Sequence, residues 1–271
     1  MSGGEPGRMQ EMRHVKRFAV IGDLHGCLPH VHALLRHMDA RMDAQGHLVG
    51  LPDGRTPVFV GDLTDRGRDS AGVLELVMKA CEDGVALAVL GNHDDKLLRA
   101  LRGHAVVIGR ELADTLASLS RKAQDDPGHP ERVAAFLARL PHQLLLDDGR
   151  VIVVHAAAPE RLQGKPTAEM RRFALYGDVD GTVDVEGKPV RRDWGAVYAG
   201  TRHVVYGHAM VETPEWRNRT IDIDTGCWQT GVLTALLWPE ATCVQITLTP
   251  PASPEATPPD SSPETAPDPG D

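Results

Sequence analysis

Long apolar runs are missing from this 271-residue chain, and charges interrupt every candidate, which excludes a membrane-spanning helix. Residues 1–13 are polar, lack the apolar stretch of a secretory signal, and read as a flexible leader. Cysteine is scarce. Cys27, Cys81, Cys227 and Cys243 are scattered without CxxC spacing, so no disulfide framework is expected and a reducing cytoplasm is the natural location. A basic surplus is missing too. The formal net charge is −9, and the segment from Pro250 onward holds five acidic residues (Glu255, Asp260, Glu264, Asp268, Asp271) with no Lys or Arg, which leaves −4 for the rest. A mildly acidic body offers no footprint for long nucleic acid, although it accommodates a short nucleotide or a strand end beside divalent cations. Aromatics make up only 4%, and no G-x-x-x-x-G-K-[ST] phosphate loop occurs, so kinase chemistry of that type is excluded.

The residues present divide the chain simply. Segment 250–271 is rich in Pro, Ser, Thr and acid, cannot bury enough surface to order itself, and is expected to be a disordered tail. One structured domain is expected over 14–249, with no internal linker or repeat. Short apolar runs at 18–21, 58–60, 86–90, 151–154 and 204–206 predict buried strands, followed by further strands at 220–223, 232–237 and 244–248. Helical patterns cover 28–42, 70–81, 94–101, 108–123 and 130–140, with Asp69 or Ser70 capping the second. An alternating first half and a strand-rich second half predict two packed mixed β-sheets flanked by helices.

Five of these strands end in chemistry-bearing runs: Gly22-Asp23-Leu24-His25-Gly26, Gly61-Asp62-Leu63-Thr64-Asp65-Arg66-Gly67, Gly91-Asn92-His93-Asp94, Val154-His155 and Gly207-His208. Any one Gly-Asp or Gly-His pair is a commonplace turn. Their conjunction at strand ends, each with ligand types a dimetal site needs, argues against chance. Asp23 and His25 are two apart and point the same way on extended backbone, so they would chelate one ion. Asp62 would bridge to a second ion completed by Asn92, His155 and His208. This nitrogen and oxygen set suits two borderline divalent ions such as Mn²⁺, Fe²⁺ or Zn²⁺, and such a pair activates water for in-line attack on a phosphoester. Arg66 would grip phosphate, His93 would protonate the leaving group, and Asp65 would orient His93. Asp94 and Asp95 read as helix-start residues that favour the dipole.

These runs resemble the calcineurin-like binuclear metallophosphoesterases, a family whose fold is a two-sheet sandwich with flanking helices. Longer stretches are similar to the phosphatase module of bacterial polynucleotide kinase-phosphatases: 91–101, 173–177, 178–194 with its Gly-rich hairpin, and 223–227. The likeness covers about 17–244. It implies Mn²⁺-favoured hydrolysis of phosphomonoesters, extending to 2′,3′-cyclic ends, and it marks Asp224 as an active-site carboxylate. Ala156-Ala157 and Ala209-Met210 depart from the family's usual Ala-Gly and Thr-Pro, which bears on substrate detail and not on the metals. The expected substrates are therefore small phosphoesters, nucleotides or nucleic-acid ends. A symmetrical dinucleoside tetraphosphate hydrolase, a protein Ser/Thr phosphatase and a scaffold without chemistry are the competing readings. Segments 102–141 and 178–192 are the expected walls of the site, the second with Arg171, Arg172, Arg191 and Arg192 nearby.

Overall fold

A computed structural model describes residues 14–183 and 189–250. The expected leader at 1–13 and the tail beyond residue 250 lie outside the described residues, as does the tip of the 178–192 hairpin. In chain order the strands are β1 (Phe18–Ile21), β2 (Arg41–Met42), β3 (Leu48–Gly50), β4 (Thr56–Phe59), β5 (Leu87–Ala88), β6 (Gln143–Leu146) and β7 (Val151–Val154). They continue with β8 (Val179–Val183), β9 (Pro189–Arg191), β10 (His203–Tyr206), β11 (Thr220–Asp222), β12 (Val232–Trp238) and β13 (Thr242–Thr247). The helices are α1 (Leu28–His37), α2 (Ser70–Glu82), α3 (Asn92–Leu101), α4 (Arg110–Asp125), α5 (His129–Leu137), α6 (Ala168–Tyr176), α7 (Trp194–Val197) and α8 (Cys227–Thr230).

Two sheets carry the fold. The first has the order β13-β12-β1-β4-β5, and the second β11-β10-β7-β6. In the first, β1, β4 and β5 run parallel, with β12 and β13 antiparallel beyond them. In the second, β7, β10 and β11 run parallel and β6 pairs antiparallel at the edge. Parallel neighbours bring their carboxyl ends to a common rim, so each sheet presents three converging loops there.

Alternation along the strands sorts side chains between layers. Phe18 and Val20 of β1 pack with Val58, Val153, Val205 and Ile221 in the seam between the sheets. Ala19 and Ile21, pointing the other way, pack with Val31 and Leu34 of α1 and Val73 and Leu74 of α2. On the far face Ile152 and Val154 meet Met170 and Phe173 of α6 and Trp194 of α7. Each fully buried side chain of this kind contributes roughly 1.5–3 kcal/mol. The layers are helix, sheet, sheet, helix, as the strand and helix pattern predicts.

One local expectation is corrected, one strand is new, and one open choice is resolved. The helix expected over 28–42 ends at His37, because Asp39 turns left-handed (φ 55°) and Arg41–Met42 pairs with β3 instead. The tight turn between β2 and β3 is built by Asp43, whose Oδ1 accepts from the backbone N–H groups of Gln45 (2.9 Å) and His47 (2.8 Å). Strand β6 was not foreseen. Its Gln-Leu-Leu-Leu sequence lacks β-branched residues, and pairing with β7 sets its conformation. Of the two candidate caps, Asp69 caps α2 by accepting from Gly72 N–H at 2.8 Å, which leaves Ser70 for another use.

Candidate dimetal centre

Every sequence-predicted site residue lies on the shared rim. Asp23 and His25 follow β1, Asp62, Asp65 and Arg66 follow β4, and Asn92 and His93 open α3 after β5. From the second sheet come His155 after β7, His208 after β10 and Asp224 after β11. The loops approach so closely that several of their glycines leave no room for a Cβ. A Cβ on Gly91 would overlap Asp62 Oδ1, and one on Gly207 would overlap Asp23 Oδ1. Five of the functional residues are themselves left-handed: His25 (φ 40°), Asp62 (48°), Asp65 (71°), Arg66 (66°) and His208 (76°). Concentrated backbone strain of this kind marks a site held in place by its surroundings.

Asp62 is the hub. His25 Nε2 lies 3.5 Å from Asp62 Oδ2, and His155 Nε2 lies 3.5 Å from Asp62 Oδ1. His155 Nε2 is also 2.9 Å from Asn92 Oδ1 and 3.1 Å from His208 Nδ1. Ligand atoms of Asp62, His155 and His208 form one group within 4.8 Å, and those of Asp62, His25 and His93 form a second that shares Asp62. Asp23 joins neither group. Its carboxylate accepts from His208 N–H at 3.2 Å and sits 4.0 Å from His155 Nδ1. Asp224 is buried beside it, accepting from Gly226 N–H at 2.8 Å.

The donor set fits two cations. His155 Nδ1 faces the Val60 carbonyl at 3.0 Å and His25 Nδ1 faces the Thr64 carbonyl at 2.8 Å. A carbonyl only accepts, so both Nδ1 atoms carry the proton and both Nε2 lone pairs point into the cluster. Burial lowers the His25 pKa to about 3, and burial with the neighbouring His155 lowers His208 to about 2, so both rings are neutral and able to ligate. Burial, then Asp224 and Asp62, pushes the Asp23 carboxyl well above its ordinary value, and burial with Asp62 brings Asp224 to about 6. Burial opposes the Asp62 charge as well, yet the facing His155, His93 and His25 hold its carboxyl low. Lone pairs and carboxylates crowded together out of water call for positive charge among them.

Beside this cluster lies a second set of groups. His93 Nδ1 donates to Asp65 Oδ2 at 2.7 Å, and Thr115 Oγ1 donates to Asp65 Oδ1 at 2.7 Å. Burial disfavours a charged His93, but Asp62 and the bond to Asp65 outweigh it and raise the pKa. Arg66 Nη2 lies 3.4 Å from His93 Nε2, a long contact that only a neutral ring accepts. The short bond to Asp65 holds in either state of the ring. The Arg66 guanidinium stacks 4.8 Å over Trp228 and lies 3.8 Å from Glu111. Asp94 accepts from Leu63 N–H (2.9 Å) and Gly91 N–H (3.1 Å), so it ties the Asp62 loop to the start of α3 besides favouring the helix dipole.

Thr115, Glu111 and Trp228 escaped the sequence reading. The first two come from the expected 102–141 wall, on α4. The other expected wall borders a cavity of about 410 Å³ whose lining includes Arg191, Trp194, Tyr206, His208, Met210 and Asp222. Arg171 pairs with buried Asp95 at 2.6 Å, and Arg172 lies 4.4 Å over the Phe173 ring.

Comparison with known proteins decides the family. The model of the calcineurin-like phosphoesterases matches residues 16–212. The chain is a calcineurin-like phosphoesterase. Membership makes it a metal-dependent hydrolase of phosphoesters, in accord with the paired clusters around Asp62. This phosphoesterase is 37% identical over 240 residues to the asymmetrical bis(5′-nucleosyl)-tetraphosphatase PrpE of Anoxybacillus flavithermus, covering 86% of this chain and 95% of that one. It is 38% identical over 235 residues to the protein of the same name from Bacillus subtilis, covering 84% and 93%. Among solved structures, a protein described as a candidate diadenosine tetraphosphatase superposes with a TM-score of 0.62 at 24% identity, over 87% of this chain and 95% of that one. A yeast protein serine/threonine phosphatase superposes with a TM-score of 0.58 at 14% identity, over 86% and 80%, which speaks to the fold alone. The two PrpE relatives carry a tetraphosphatase name, not that of the polynucleotide branch the sequence resembles, and the name specifies asymmetrical, not symmetrical, hydrolysis. No helix among the described residues is long and apolar enough to cross a membrane.

Proposed function

We propose that this phosphoesterase hydrolyses dinucleoside tetraphosphates off centre. Four phosphates divided unequally between two nucleosides give a monophosphate and a triphosphate. The observation that supports this most is the likeness to the asymmetrical tetraphosphatases, which extends over nearly their whole length. The cavity bordering His208 agrees with it, being in the size range of small-molecule sites and lined by aromatic, apolar and guanidinium groups. One domain over 14–249 would carry the activity, and a nucleotide substrate places it in the cytoplasm.

In this reading Asp23, His25 and Asp62 hold one divalent ion, and Asp62, Asn92, His155 and His208 hold the other. Two His, an amide oxygen and a shared carboxylate suit Mn²⁺, with Fe²⁺ and Zn²⁺ as chemically acceptable alternatives. When bound, the ions would activate the attacking water and offset charge on the phosphoryl oxygens. Arg66, steadied by Trp228 and Glu111, offers its guanidinium to the phosphate. His93 donates the Nε2 proton to the departing oxygen while Asp65 keeps the ring aligned through Nδ1. Asp224 adds a buried carboxylate beside Asp23.

Product analysis tests the proposal. With Mn²⁺ and diadenosine tetraphosphate, chromatography should show AMP and ATP in equal amounts, with Asp62→Ala inactive. Two ADP would instead mean symmetrical cleavage. The resemblance at 91–101, 173–177 and 223–227 motivates parallel reactions with a 3′-phosphorylated oligonucleotide and a 2′,3′-cyclic nucleotide. Faster turnover of those ends would overturn the dinucleotide reading.

A further inference from the structure

Helix α4 has an amphipathic pattern in which Leu112 and Leu119 are buried, and Thr115 lies on the same face with 1% of its surface exposed. An apolar residue would be the default there. A buried hydroxyl must find partners, and Thr115 finds them in the loop after β4. Its Oγ1 donates to Asp65 Oδ1 (2.7 Å) and accepts from Asp65 N–H at 3.2 Å. Ser70, released from capping α2, accepts from the same N–H at 3.1 Å and lies 3.2 Å from Thr115 Oγ1. Because the single Thr115 proton is committed to Asp65, Ser70 is the donor in that last contact. Both Asp65 oxygens are therefore occupied, Oδ1 by Thr115 and Oδ2 by His93.

We propose that Thr115 is the positioning residue of the Asp65–His93 pair: its hydroxyl pins the Asp65 carboxylate, so that the opposite oxygen fixes the His93 ring with Nε2 turned to the leaving group. The inference rests on the reading of His93 as proton donor. In that step the Nε2–H bond breaks and the proton passes to the oxygen leaving phosphorus. The Nδ1 proton stays on the ring against Asp65, and the imidazolium becomes neutral. The bond from phosphorus to that oxygen breaks as an attacking water forms the new one, and the proton the water gives up restores the imidazolium for the next turnover. A free Asp65 carboxylate could rotate about its terminal torsion, which is broad for Asp, and carry the ring out of line. One bond from α4 removes that freedom. The hydroxyl acts through Asp65 and does not touch substrate.

The alternative is that Thr115 only steadies the left-handed turn at Asp65 and Arg66, and the experiment must separate the two. Thr115→Val keeps shape and loses the hydroxyl, and Thr115→Ser keeps the hydroxyl. Each is assayed with Mn²⁺ on aryl phosphates from phenyl to dinitrophenyl, beside His93→Ala. A phenyl group needs the proton, whereas a dinitrophenolate leaves without it. Thr115→Val should lower kcat on phenyl phosphate by roughly 10–100-fold, the size seen when a supporting hydrogen bond is lost around a site. It should leave kcat on dinitrophenyl phosphate within about twofold, and Thr115→Ser should restore the wild-type pattern. Without any substrate, the downfield Nδ1–H proton resonance of His93 should be weakened in Thr115→Val and kept in Thr115→Ser. Equal losses on both substrates, or an unchanged resonance, would overturn the proposal. If His93→Ala shows the steep dependence and Thr115→Val does not, only the role of Thr115 falls. If His93→Ala shows none, the proton-donor reading falls and takes this inference with it.

Discussion

The two sheets contribute unlike halves to one rim. The first sheet carries the candidate oxygen ligands (Asp23, Asp62, Asn92) with His25, and the groups proposed to handle phosphate and proton at the centre: Asp65, Arg66, His93 and, through α4, Thr115. The second carries His155, His208 and Asp224 and borders the cavity lined by Arg191. The halves meet where His155 Nε2 closes on Asn92 Oδ1 and His208 Nδ1. The difference shows how a two-layer fold separates tasks. One sheet carries the carboxylate hub and the proton-handling pair while the other adds facing imidazoles, and neither half is a site alone.

That division is open to attack at its hub first. Asp62→Ala removes the residue both halves share, so both ions should be lost and turnover should fall by more than the roughly 10–100-fold typical of lost supporting contacts. Elemental analysis of the dialysed protein together with a rate assay checks this. Next, His208→Ala and His93→Ala should part ways. The first should lose one equivalent of metal. The second should retain both ions and slow turnover of an unactivated ester by roughly 10²–10⁴-fold, the usual worth of a general acid. Retention of both ions by His208→Ala would break the comparison, because the second sheet would then not be completing a metal site.

A smaller effect is expected at the seam. Gly207→Ala puts a methyl against Asp23 Oδ1 and should destabilise the fold by about 1–3 kcal/mol, as overpacking does, read as a lowered urea midpoint with metal affinity weakened in parallel. The smallest effect concerns pH. Burial lowers the pKa of His30, His129 and His142, each of which carries a buried ring nitrogen without a partner among the described residues. The folded state keeps these rings neutral, while the unfolded chain binds protons near pH 6.5. Stability is therefore full above that pH and declines as pH falls below it. Between pH 7.5 and 5.5 the urea midpoint of the wild type should fall relative to that of His30→Leu, which lacks one of these rings, and parallel midpoints would contradict it.

The candidate metal ligands were legible as a group because most sit in a Gly-punctuated turn at the end of an apolar run, where strand periodicity and ligand chemistry coincide. Elsewhere local pattern misled. Periodicity alone carried α1 on to residue 42, since Met38 and Met42 continue the apolar face, but the turn chemistry of Asp39 and Asp43 ended it at His37. Strand β6 went unseen for want of a strand-like composition. Thr115 was beyond reach for a different reason. A threonine on an amphipathic helix looks like any other, and its value depends on a loop fifty positions earlier in the chain. The resemblance at 223–227 marked Asp224 as a candidate carboxylate, and the fold brings it beside Asp23 on the rim, yet the relatives direct the substrate proposal elsewhere. Motifs shared across a fold identify its chemistry and leave the substrate open.

The left-handed backbone at His25, Asp62, Asp65, Arg66 and His208 has a consequence for lineage. Glycine adopts that conformation without penalty, whereas each side chain held there costs of order 1–3 kcal/mol. Copies of this gene released from selection for turnover should therefore drift towards glycine at these five positions and gain stability as they fall silent. Asp, Arg or His still standing at all five would identify, among diverged copies, those whose chemistry remains in use.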